Sequence, residues 1–320
     1  MSNKTEFTFG TDPEFVVMQD GKAVSAIPIV NGTKDKKRKS GKCFFFYDNV
    51  LAECTIPYAS SKAEAVENIG DCLKRYAKIV HPYKLATIAS HVFPKDQLQH
   101  PEALKINCHK ENCAYAMEEE DGDEFLFQKT DLRSAGGHIH LGCPEIHEMF
   151  NPVLTIRMMD LFVGIPSIFI DHDPTSKRRR ELYGKAGRYR LTPYGVEYRS
   201  IGNFWLSSPK LVELVYDLSE LVVKLICDKT VEKDFWTIDY DRVMSREAWA
   251  DHNFHISQCH TCHGYDIESL RSAINTSDKG KGEEFLKIIG KYSSTLLGRI
   301  IEESQPHQYN LYKEWNINDR

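Results

Sequence analysis

The run Arg133-Ser134-Ala135-Gly136-Gly137-His138-Ile139-His140-Leu141-Gly142 constrains the fold more than any other stretch. Paired glycines allow a tight turn or a close backbone approach. Imidazoles then alternate with aliphatic side chains. On a β-strand this sends His138 and His140 to one face and Ile139 and Leu141 to the other. Such a strand needs a core on one side and a polar surface or a site on the other. Neutral imidazole is a common metal ligand, and charged imidazole donates to phosphate oxygens. A strand with two histidines on its wet face fits the same pattern. Arg178 to Asn203 tips the balance towards a site, because it carries six arginines and a Glu197-Tyr198-Arg199 strand.

More acids fall on predicted strands. Glu6 to Met18 reads as a first strand interrupted at Gly10-Thr11-Asp12-Pro13-Glu14-Phe15, where Asp12 and Glu14 can share a face. Gln19 to Lys22 reads as a hairpin turn into Ala23 to Val30. Phe44 to Ile56 reads as a strong strand with Leu51, Glu53 and Thr55 on one face, and a carboxylate at its centre is costly unless paired or metal-bound. Between these, Lys34 to Lys42 holds six basic residues and reads as a solvated mobile loop or a lid over an anionic substrate. Ser61 to Glu64 has capping-box spacing ahead of a helix that should end at His81-Pro82. Leu85 to His91 suggests another strand, and Pro94 to Gly122 an irregular polar segment. Asp171 to Gly187 reads as a polar linker, and Gly187 to Asn203 as strand, turn, strand. Arg188 and Arg190 share a face there, as do Glu197 and Arg199. Ser208-Pro209 caps a long amphipathic helix, and the remainder looks mainly helical.

Composition limits the rest. A chain of 320 residues, 41% hydrophobic and 27% charged, reads as a soluble globular protein of one large or two ordinary domains. A net charge of −5 gives no reason to expect nucleic acid. Val153 to Ile170 is the most apolar run. Arg157, Asp160 and Pro166 interrupt it, so a buried helix is expected and no membrane association. Met1 to Glu6 lacks the apolar core of a signal peptide, so nine cysteines are expected as reduced cytoplasmic thiols. Cys108 and Cys113 form no clean zinc pair and are expected to be buried. Cys259-His260-Thr261-Cys262-His263 has the spacing of a c-type haem attachment, which belongs to exported proteins. Zinc through Cys259, Cys262 and neighbouring His252, His255, His260 or His263 stays open, as does a plain reduced loop.

The inward-facing candidates are Asp12, Glu14, Glu53, His138 and Glu197, with His140, Arg188, Arg190 and Arg199 nearby. Carboxylates with one imidazole suit Mg²⁺ or Mn²⁺ more than a closed, thiolate-rich zinc site. Arginines beside carboxylate-bound metal suit polyphosphate. No Gly-x-x-x-x-Gly-Lys-Ser/Thr loop is present.

Taken in order, Gly10-Thr11-Asp12-Pro13-Glu14-Phe15, Asp48-Asn49-Val50-Leu51-Ala52-Glu53, Gly136-Gly137-His138-Ile139-His140 and Tyr183-Gly184 through Gly195-Val196-Glu197-Tyr198-Arg199 resemble the phage-type carboxylate–amine ligases (COOH–NH2 ligase type 2). That family belongs with the glutamine synthetase and glutamate–cysteine ligase fold. The resemblance spans Phe9 to Leu206. It implies an α+β fold with a curved, mainly antiparallel sheet, helices on its outer face and a helical C-terminal part. Residues 1–206 would be the core of the ligase domain, and residues 207–320 would pack on that domain. The implied reaction is ATP-dependent amide formation through an acyl phosphate, between small-molecule carboxylate and amine substrates. Metal would be held by Asp12, Glu14, Glu53, His138 and Glu197. His140, Arg188, Arg190 and Arg199 would lie at the nucleotide, and Arg199, Arg190 and Glu53 would serve catalysis. Asp12 stands where relatives such as glutamine synthetase use Glu, which leaves a water bridge to metal open. A metal-dependent hydrolase using His138 and His140, or a non-catalytic nucleotide- or peptide-binding relative, are the competing readings.

Overall fold

Pro13 has no backbone N–H to give to a sheet, and the first predicted strand divides around it. The computed structural model describes residues 7–105, 111–120, 130–148, 151–238, 260–262 and 265–318. Its strands begin with β1 (Thr8–Gly10), β2 (Glu14–Gln19), β3 (Lys22–Val24), β4 (Arg38–Ser40), β5 (Cys43–Asp48) and β6 (Leu51–Thr55). They continue with β7 (Lys84–Ala86), β8 (Ser90–Val92), β9 (Glu111–Cys113), β10 (Ala116–Glu120), β11 (Leu132–Ser134), β12 (Ile139–Gly142), β13 (Arg188–Thr192) and β14 (Gly195–Tyr198). One sheet runs β1-β12-β14-β13-β9-β10, and a second runs β3-β2-β6-β5-β4 with β7 also on β2. Strands β8 and β11 form a separate pair. All these pairings are antiparallel. The mixed α/β architecture with curled antiparallel sheets agrees with the expected class.

Register brings the polar side chains together. Gly10 faces His140, His140 faces Glu197, and Glu197 faces Arg190. In the second sheet Glu14 lies opposite Glu53. The opposite faces are apolar. Ile139, Leu141, Val196 and Tyr198 share a core with Ile156, Phe162, Leu214 and Val222 from two long helices. The helix Lys62–Val80 lies under the other sheet; Ser61 caps it by accepting from the Glu64 N–H at 3.3 Å.

The run Asn151 to Ile170 is helical throughout and buried from Val153 onward. Length and composition alone would let it cross a membrane, but it forms part of this core. Pro166 cannot complete a regular hydrogen-bond ladder, and the turn before it, Asp160–Gly164, widens into a π-helix. There Asp160 accepts a hydrogen bond from the Tyr198 hydroxyl at 2.7 Å. Helices Pro209–Cys227, Ile267–Thr276, Lys279–Tyr292 and Ser294–Glu303 supply the expected helical C-terminal part.

Several expectations need correcting. Phe44 to Ile56 is a hairpin, turned at Asn49 with φ of 54°. Ala23 to Val30 gives only a short strand followed by a helical turn, because Pro28 suits a helix start. Lys34 to Lys42 is not a plain loop, since Arg38–Ser40 pairs with β5. Leu85 to His91 yields the ends of two short strands. The polar linker between Asp171 and Gly187 contains the helix Ser176–Leu182, and Arg179 and Arg180 are buried. The Arg179 guanidinium donates to the carbonyls of Ala135, Ser200 and Arg199, groups that would otherwise be buried without donors.

Candidate active site

Two carboxylate clusters meet where the chain crosses from one sheet to the other. The first forms around β12. Gly137 sits too close to the Gly202 carbonyl for a side chain, since a Cβ there would lie 2.5 Å from that oxygen. The approach seats His138 beside both Asp12 and Glu197, its Nδ1 being 3.4 Å from Asp12 Oδ1 and 3.3 Å from Glu197 Oε1. His140 Nε2 lies 2.9 Å from the same Asp12 oxygen, and its Nδ1 lies 2.5 Å from the Tyr194 hydroxyl. Asp12, His140 and Glu197 each offer a donor atom within 4.8 Å of the others. Burial and the Arg199 charge push the His138 imidazole down to about 3, so it is neutral. Its Nε2 is buried with no hydrogen-bond partner among the described residues. Burial alone would lift Asp12, but His140 and His138 outweigh it and hold the carboxyl well below its usual range. His140 is raised, because Asp12 outweighs the desolvation that opposes its charge.

The second cluster is Glu14, Asp48 and Glu53, again with donor atoms within 4.8 Å of one another. The Gly136 N–H donates to Glu14 Oε2 at 2.7 Å. Lys34 Nζ reaches Asp48 Oδ2 at 2.6 Å. Burial, then repulsion from Asp48, lifts Glu14 to about 7. Burial and the charges of Glu14 and Asp12 lift Glu53 well above its usual range. Glu53 Oε2 has no hydrogen-bond partner among the described residues. Buried carboxylates facing one another are stable as anions only beside a cation. A divalent ion supplies that charge and reverses the upward shifts. The unpartnered Glu53 oxygen, on an oxygen-rich set, therefore fits Mg²⁺ or Mn²⁺.

Cations line the other side. Arg199, 6% exposed, pairs with Glu197, stands 3.5 Å from Glu111 Oε2 through Nε, and lies over the Tyr183 ring at 5.3 Å. Arg190 Nη1 is 3.7 Å from Glu197 Oε2. Burial and Asp12 raise Glu197 to about 7, against the pull of His140 and Arg190. Arg188 is on the same strand as Arg190, and its carbonyl accepts from the Arg199 N–H at 3.0 Å.

The structure thus gathers Asp12, His138, His140, Glu197, Arg190 and Arg199 into one cluster, and Glu14 and Glu53 into the adjoining one. Asp48, Glu111, Tyr194 and Arg179 were not singled out as site residues. Asp48 lies within the quoted motif, at the turn of the β5–β6 hairpin, where it pairs with Leu51 two residues before Glu53. Glu111 stands in a polar stretch with no readable pattern. Cys113 is buried as expected. Cys108, His109, Cys259 and the histidines His252, His255 and His263 lie outside the described residues.

No curated protein matches the chain. A bifunctional glutathione synthetase from Pasteurella multocida aligns with a TM-score of 0.40 and 8% identity, covering 97% of this chain and 48% of that one. The chain therefore spans about half the length of that protein. A family model matches from residue 128 to residue 244, a segment that includes β12, β13, β14, both site histidines and the three arginines. Over residues 128–244 the chain is similar to the phage phiEco32-like COOH·NH2 ligases of type 2, the family that its motifs resemble.

Proposed function

We propose that the protein is an ATP-dependent carboxylate–amine ligase built on a glutamine synthetase-like curved sheet. The observation that carries this reading is the pair of largely half-buried carboxylate clusters, one of them joined to the arginines of β13 and β14. Asp12, His138, His140 and Glu197 would hold one divalent ion, and Glu14, Asp48 and Glu53 a second. Bound Mg²⁺ or Mn²⁺ neutralises phosphate oxygens and orients them for in-line transfer. Arg199 and Arg190 are placed to grip the transferring phosphoryl group and steady the charge that develops on it. In this reading an oxygen of the substrate carboxylate attacks the γ-phosphorus and ADP departs. An amine nitrogen then attacks the acyl carbon, phosphate leaves with the electron pair of the acyl–oxygen bond, and the nitrogen gives up a proton to solvent. Small carboxylates and amines are the proposed substrates, and bacterial or phage-infected cytoplasm the proposed setting. A zinc hydrolase would employ the histidine cluster alone and leave Glu14, Asp48 and Glu53 without a role.

The test is ATP turnover with Mg²⁺ and pooled carboxylates and amines, products being read by mass spectrometry. A carboxylate labelled with heavy oxygen should pass one label to the released phosphate. Amide formation without label transfer would remove the acyl phosphate. No magnesium-dependent ADP release in any pool would remove the ligase.

A further inference from the structure

A third cluster of metal-binding groups lies away from the proposed active centre. Cys143 follows directly on β12, and Cys227 is the last residue of the helix Pro209–Cys227. Their sulfurs are 3.7 Å apart, and the Cys143 thiol donates to Glu145 Oε2 at 2.7 Å. All three donor atoms lie within 4.8 Å of one another. The backbone holds them there. Cys143 donates its N–H to the Tyr194 carbonyl at 3.2 Å, and Asn151 Nδ2 donates to the Glu145 carbonyl at 2.7 Å. Cys143 is buried, while Glu145 and Cys227 are half-buried and leave one side open to solvent.

We propose that Cys143, Cys227 and Glu145 form a binding site for a soft or borderline divalent cation, with zinc the best fit and water as the fourth ligand. The geometry carries this. Two sulfurs each about 2.3 Å from a tetrahedral ion stand roughly 3.8 Å apart, close to the 3.7 Å found here. A disulfide needs sulfurs at about 2.05 Å and gives a third donor no role. Among the described residues Glu145 forms no ion pair, and its Oε2 accepts from the Cys143 thiol. Zinc would displace two protons to solvent and form two Zn–S bonds and one Zn–O bond. The clip would join the end of the histidine strand to the end of the long core helix. It does not depend on the ligase reading.

Zinc is the probe. Under a phosphine reductant, parent and Cys227→Ser protein are loaded with Zn²⁺, desalted and assayed for metal per chain. The parent should keep one more zinc than the variant, and Glu145→Gln should bind it at least about tenfold more weakly, the scale even outer-shell changes reach. Equal zinc content in parent and Cys227→Ser would overturn the proposal. Alkylation of the parent, read peptide by peptide, gives a check that needs no variant. Zinc should slow labelling of Cys227 at least tenfold, and unchanged labelling would overturn the site. Thiols that vanish only when reductant is omitted, with no zinc retained in its presence, would identify the pair as a disulfide instead.

Discussion

Arg199 has a carboxylate on each side and an aromatic ring beneath it, which fixes the guanidinium plane. Lysine keeps the charge and loses the planar fork. Arg199→Lys is expected to lower kcat for amide formation about a hundred- to a thousand-fold, or roughly 3–4 kcal/mol, with a much smaller change in the KM for ATP. Melting temperature and kcat taken on the same preparation decide the matter, because a purely structural ion pair would leave full activity per folded molecule. Glu53 gives a second test. If it holds a cation, Mg²⁺ at a hundredfold excess over its Kd should stabilise the parent by about 2.7 kcal/mol. Glu53→Gln should lose most of that gain while the metal-free protein melts within a few degrees of the parent. An unchanged magnesium shift would take Glu53 out of the metal set. Glu53 stands out in the sequence because a charge at the middle of a strand needs a partner, whereas Arg199 lies just past β14 and stands out only beside Glu197 in the shared motif. Asp48 and Glu111 do not stand out, since a turn acid and an acid in an irregular stretch look the same whether they are solvated or buried.

The elements show the same division. Alternation identified β12 and the β13–β14 hairpin, and capping spacing identified the helix Lys62–Val80. Missed turns came from residues that tolerate left-handed backbone, such as Asn49 between two strand-forming segments. Arg178 to Arg180 looked solvated because charge runs usually are. Only the tertiary demand for donors to the Ala135, Arg199 and Ser200 carbonyls explains a buried Arg179. The basic hairpin is intermediate. Lys34 is tied to Asp48, and Lys37 reaches Thr55 at 3.1 Å, while Lys36, Arg38 and Lys39 are exposed. Replacing Lys36, Lys37, Arg38 and Lys39 by glutamine should raise the KM for ATP roughly tenfold at low salt, the lower end of electrostatic focusing. Added salt should shrink the difference between variant and parent. A KM unchanged at any ionic strength would make the hairpin ordinary surface.

At the scale of the molecule, Asp171 joins the buried helix ending at Ile170 to the helix Ser176–Leu182, accepting from Ser176 Oγ at 2.6 Å. Burial lifts its carboxyl to about 6 against the hydrogen bonds that lower it. The folded state therefore binds this proton more tightly than the unfolded one. Its stabilising contribution is complete below about pH 4 and is lost as pH rises through about 6. Asp171→Asn should flatten the fall in unfolding free energy across that window, as read by denaturant titration at several pH values. An identical pH slope in both proteins would refute the assignment. The two sheets also share a covalent tether. Gly10 pairs in one and Glu14 in the other, so Asp12 and Glu14 are spaced by backbone geometry, roughly 6–7 Å along an extended chain. The outer strands can shift, and surrounding side chains can be exchanged for a different substrate, without altering the pitch between the two carboxylate clusters. A single residue inserted beside Pro13 would put both out of gauge at once.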